Sequence, residues 1–116
     1  MSDDEIKKAY TLVDESLINV FRKAYTKIYD YHQKQKQYSW FDTDAFGTML
    51  GQKVTPLERV GVYVPGGTAV LSSSVLMTII PAIVAGVSQI VMTTPIQKDG
   101  SLNPATLVAA DICGVS

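Results

Sequence analysis

GVYVPGGTAVLSSSVLM, running from Gly61 to Met77, is the stretch on which the reading of this chain turns. An apolar, β-prone run enters a Pro-Gly-Gly turn, three serines follow, and an apolar segment of helical character starts directly after them. The order is strand, tight loop, helix start. Lacking a Cβ, Gly66 and Gly67 can take φ > 0 and let a ligand approach the bare main chain. Whichever of Ser72, Ser73 and Ser74 caps the helix leaves free N–H donors beside it, and such a loop suits a phosphate or another anion. It is neither G-x-G-x-x-G nor a Walker A loop, because the glycines fall at 61, 66 and 67 and no Gly-Lys-Ser/Thr follows. A structural turn accounts for Gly66 and Gly67 as well as a ligand does. Tyr63 and Thr68 are the side chains at its rim.

Upstream, the chain reads as helical. Ser2 with Glu5 three positions on forms a capping box for a first helix that should run to about Thr11. Asp14 can cap a second helix whose apolar side, at i, i+3, i+4, i+7 spacing, is Leu17, Val20, Phe21, Ala24, Ile28 and Tyr31. Its opposite face carries Arg22, Lys23, Lys27 and Lys34 and reads as solvated. The helical layer ends where Gln33 to Gln37 turn polar. Phe46 to Leu50 and Gln52 to Thr55 then flank Gly51 as two short strands of a hairpin, with Pro56 closing the second. Arg59 to Val64 is the next strand.

Downstream, Val75 to Val87 reads as a helix in spite of Pro81, stopped by Gly86 or Ser88. Gln89 to Thr93 is a β-branched run of the kind buried on both faces, Pro95 to Ser101 a polar loop, and Asn103 caps a last helix with Pro104 at its first position. Gly114 is placed to end that helix in the left-handed conformation. Strand, helix, strand, helix with no further strand is an unusual stop for a parallel sheet and points to a fragment or a chain that needs a partner. The expected fold class is α/β: N-terminal helices over 1–37, then over 38–116 a small hairpin and part of an incomplete Rossmann-like parallel sheet.

Composition narrows the function classes. The 116 residues carry a net charge of -1, so there is no basic face for nucleic acid. Residues 1–59 hold nine acidic and nine basic side chains, whereas 60–116 hold only Lys98, Asp99 and Asp111. Either a membrane segment or a covered layer would explain that asymmetry. The candidate span Val75 to Met92 is broken by Pro81, Gly86, Ser88 and Gln89, which argues against a membrane helix. Too few charges remain in 60–116 to coat it, so an exposed apolar layer is expected there. No signal peptide opens the sequence, and the single Cys113 fits a reducing, cytoplasmic setting. His32 is the only histidine and has no companions at ligand spacing, so it reads as structural. The serines have no G-x-S-x-G elbow and no acid or base to serve them.

LGQKVTPLERVGVYVPGGTA, SSVLMTIIPAIVAGVSQIVMTTP, the DG turn, NPATLVAA and a closing CGV together resemble the histidinol dehydrogenase family, and the likeness reaches back through FRKAYTKIYDYHQKQ and SW. The resemblance implies a zinc- and NAD-dependent cytoplasmic homodimer with an incomplete Rossmann-like fold. Such an enzyme oxidises a small amino alcohol, L-histidinol, to L-histidine in two hydride transfers through an aldehyde. Carried over by position, Tyr63 is the first choice for an NAD contact. Pro65, Gly66, Gly67 and Thr68 follow, as the turn that shapes that edge of the cofactor site. The family's zinc ligands and catalytic residues match no position here, so the chain alone is expected to be inactive. It departs from the family at Leu71, Ser72 and Ile83. The competing reading is a non-catalytic α/β chain acting in self-association or complementation.

Overall fold

The computed structural model describes residues 2–66 and 71–115. Two helices come first. α1, Asp3–Leu12, begins with the capping box: Glu5 N donates to Ser2 Oγ and the Glu5 carboxylate accepts from Ser2 N. α2, Glu15–Gln35, starts at Asp14, whose carboxylate accepts from Ser16 N at 2.7 Å.

An antiparallel hairpin follows, β1 (Trp40–Thr43) with β2 (Met49–Gln52). Its turn is at Asp44–Thr48 and Gly51 lies inside β2 opposite Phe41, so the expected strands on either side of Gly51 are corrected. The side chain of Asp44 decides the register. Its Oδ1 accepts from Phe46 N at 2.8 Å and Thr48 N at 2.9 Å, and Gly47 supplies the positive φ of 85° that closes the turn. At the base, Ser39 Oγ donates to Val54 O and accepts from Val54 N at 2.8 Å, standing in for a ladder bond.

β3 (Arg59–Tyr63), α3 (Ser72–Ala85) and β4 (Gln89–Thr93) form a βαβ unit whose strands pair in parallel, Arg59 opposite Gln89 through Tyr63 opposite Thr93. α4, Pro104–Ile112, ends the chain, with Asn103 Oδ1 accepting from Ala105 N and Thr106 N and Gly114 at φ 71°. No helix among the described residues is long and apolar enough to cross a membrane.

The core lies between the helices and one face of the strand pair. Val64, Val75, Ile79, Ile80 and Val108 are fully buried; α2 and α4 both pack on α3, and α1 packs on α4. Two helix expectations need correction. The buried line of α2 is Ile18 and Phe21, continued by the partly buried Ala24, Tyr25, Ile28 and Tyr29, whereas Leu17, Val20 and Tyr31 are exposed. Phe21, Ala24 and Ile28 belong to either stripe, and contact with α3 and α4 selects one. Leu71, not a serine, is the cap of α3, and it makes no side-chain cap bond. Ser72 is instead packed inward at 7% exposure, which places the serines in the first turn.

β4 is covered on one face only: Ile90 and Met92 pack on the core while Gln89, Val91 and Thr93 are exposed. Exposed large apolar side chains are also denser in 33–59 than in 60–116, where charge density suggested them. Every residue from 33 to 59 is exposed, including Tyr38, Trp40, Phe41, Phe46, Met49, Leu50 and Leu57, and the hairpin projects as an arm from a body measuring 67 Å along its longest axis with the arm included. In 60–116, by contrast, α3 and α4 supply most of the buried core.

Candidate dinucleotide edge

Strand alternation sets the side chains at the end of β3. Val62 and Val64 turn inward at 8% and 0% exposure, so Tyr63 between them must point outward, and it is 63% exposed. Its neighbour on β4 is Thr93, and Val64 N donates to Thr93 O at 2.9 Å as the last rung. Both strands therefore release their chains at the same end of the pair, which is where ligands of open parallel sheets bind. Pro65 and Gly66 follow, both exposed; Gly67 and Thr68 lie outside the described residues. Downstream, Ser74 N bonds Leu71 O at 2.9 Å, and no side chain caps the start of α3. The described part of this edge is thus the exposed phenol ring of Tyr63 with the exposed Pro65 and Gly66 after it.

Gly66 does not use the positive φ open to a glycine. Its glycine is explained by crowding: a Cβ there would stand 3.3 Å from Thr94 Oγ1 and 3.3 Å from Pro95 O. The segment Thr94–Pro95, which sequence reasoning missed, is therefore part of the same edge. Its only sequence signal is the Thr-Thr-Pro that closes β4.

Elsewhere the described residues offer little chemistry. His32 Nδ1 lies 2.7 Å from Gln35 Oε1, and its ring meets that of Tyr31 edge-on. A crevice of about 580 Å³ at the base of the arm is lined by His32, Lys36, Tyr38, Pro56, Pro81 and Gly86, away from Tyr63. Cys113 is buried, and burial pushes its thiol up to about 12, so it is held as an inert thiol rather than a nucleophile. Among the described residues no three His, Cys, Asp or Glu side chains converge as a metal site.

A family model described as histidinol dehydrogenase matches residues 1–116. The chain belongs to the histidinol dehydrogenase family. The histidinol dehydrogenase of Heliobacterium mobile is 56% identical over 115 residues, and that of Bacillus subtilis (strain 168) is 54% identical over 115 residues. In each case the match covers 99% of this chain and 27% of the relative. The crystal structure of histidinol dehydrogenase from Elizabethkingia anophelis superposes with a TM-score of 0.90 at 37% identity, over 99% of this chain and 27% of that one. The chain thus spans about 27% of the length of the histidinol dehydrogenases it matches, and it shares their mixed α/β fold over that part.

Proposed function

We propose that this chain contributes part of the NAD site of a histidinol dehydrogenase, with 38–116 forming a piece of the NAD-binding domain and 1–37 a helical segment beside it. The enzyme would take L-histidinol, a small amino alcohol, to L-histidine, as a cytoplasmic homo-oligomer. The observation that carries this reading is the exposed Tyr63 ring at the carboxyl end of a parallel strand pair, within a chain of that family. NAD, when bound, supplies the hydride acceptor for both oxidations. The part of this chain is to bind and orient. Tyr63 gives one face of the cofactor a flat apolar contact, Pro65 to Thr68 shape the turn beside it, and the start of α3 favours a phosphate. Zinc, which the family implies, has no set of ligands among the described residues, and no step is assigned to it.

NAD titration followed by ¹⁵N-resolved NMR tests the reading. Shifts at Tyr63, Val64 and Gly66 that saturate, and that vanish in Tyr63→Ala with the fold intact, are expected; saturation unchanged in Tyr63→Ala would remove the assignment. With histidinol and NAD supplied, the purified chain should produce no NADH, and production free of host enzyme would refute its inactivity.

A second reading, a non-catalytic role in self-association or complementation, is favoured by the arm, where a run of apolar side chains has no cover. Tight concentration-dependent association with no response to NAD is its signature.

A further inference from the structure

Where the arm leaves the body, the end of α2 with the residues after it, the segment leading out of β2, and the end of α3 enclose the crevice of about 580 Å³. That volume lies within the range of about 300–1,000 Å³ typical of small-ligand sites. Its lining is divided by chemistry. Pro56, Pro81 and Val84 contribute apolar surface, while α2 and its exit contribute His32 and Lys36. No aspartate or glutamate lines it, so the crevice has basic groups without an acidic counterpart of its own. Those basic groups are placed by their neighbours. Gln35 Oε1, 2.7 Å away, engages Nδ1 of His32 and leaves Nε2 as the ring atom open to a ligand, and Lys36 Nζ stands 6.0 Å from the centroid of the Tyr38 ring, a cation–π contact.

We propose that this crevice is a binding site for a small aromatic carboxylate, with the acid group on Lys36 and the ring against the prolines and Val84. The inference stands whether or not NAD binds at Tyr63. Charge selects the head group: a cation would meet Lys36 with no carboxylate to balance it, and a neutral ligand would cover the ammonium without replacing its water. A carboxylate gives Lys36 a charge-assisted hydrogen bond. Shape selects the body. Tyr38 and the two proline rings offer flat surfaces on which an aromatic ring packs, and its burial there removes apolar area from water.

The test is a ¹⁵N-resolved NMR titration of the chain with 3-phenylpropionate, and with 3-phenylpropionamide as the neutral control of the same shape. Saturable shifts are expected at Gln35, Lys36, Val84, Ala85 and Gly86, with the amide bound at least about fivefold more weakly than the acid. Lys36→Gln should weaken the acid by a similar factor and leave the amide unchanged, whereas Lys36→Arg, which keeps the charge, should stay within about twofold of wild type. Shifts that never saturate, or that fall outside the crevice, would remove the site. Equal affinity for acid and amide, or a Lys36→Gln chain that binds the acid like wild type, would overturn the assignment of a carboxylate. A loss as large in Lys36→Arg as in Lys36→Gln would overturn it as well, because charge would then not be what the ligand reads.

Discussion

Tyr10 Oη donates a 2.8 Å hydrogen bond to Asp111 Oδ2, joining α1 to α4 across 101 positions of sequence. Asp111 is one of only three charged side chains in the second half of the chain, and the only one on α4. The bond adds a polar tie to the packing of the first helix on the last.

Removing that bond should loosen the body. Tyr10→Phe keeps the ring and deletes the donor, and a partly exposed bond to a carboxylate contributes about 1 kcal/mol. Urea unfolding followed by circular dichroism is expected to show a loss of that order. An unchanged midpoint would mean that the helices are held by apolar contact alone.

Alkaline pH should destabilise the body in a defined window. Burial raises the thiol of Cys113 from 9.0 to about 12, and burial is also the leading cause of raised values for Tyr10 and Tyr25. In each the fold favours the neutral form. Their contribution is complete below the unfolded values and is lost as pH climbs through the folded ones. Thermal midpoints should therefore fall between about pH 9 and pH 12, and Cys113→Ala should flatten the start of that fall.

The arm should come apart independently of the body. A Cβ on Gly51 would run into the carbonyl oxygen of Trp40 and the ring of Phe41, so Gly51→Ala breaks the hairpin where β1 and β2 pair. Trp40, the only tryptophan, is on that arm and 56% exposed. Its fluorescence is expected to change in Gly51→Ala while the circular-dichroism melt of the helices does not; a common shift of both would show that the arm supports the body.

Acid should loosen the tip of the same arm. The amides of Thr48 and Phe46 hold the Asp44 carboxyl below the usual aspartate range. A lowered value stabilises the turn above the unfolded pKa, and the contribution disappears as pH falls through the folded one. Amide exchange at Phe46 and Thr48 should accelerate below about pH 4, and Asp44→Ala should show that fast exchange at neutral pH.

Gly86 closes α3 at φ 89°, and a Cβ there would make only ordinary contacts with Pro56 at 3.6 Å and 3.7 Å. The cost of Gly86→Ala is therefore backbone strain, about 1–2 kcal/mol. Gly86→Asn should recover part of it, since asparagine tolerates the left-handed region, and equal losses for both would point to steric crowding instead.

What was legible in the sequence is what local chemistry decides. Ser2 with Glu5, Asp14, and Asn103 with Pro104 each act on amides within a turn of themselves and cap the helices as their spacing predicts, and of Gly86 and Ser88 it is Gly86 that ends α3. β3 and β4 followed from their apolar runs. The errors share another origin. The buried side of α2 depends on α3 and α4, and the hairpin register depends on Asp44 reaching Thr48 rather than on Gly51. Ser72 looks like a cap until the packing that buries it is known. At the candidate site Tyr63 could be read from strand alternation, but the reason for Gly66 could not, because Thr94 and Pro95 come from a different strand exit.

The ribbon formed by β3 and β4 is only two strands wide among the described residues, so each outer margin presents a row of amides and carbonyls with no ladder partner. Unpaired strand margins of this kind are where a further strand can add by main-chain bonding.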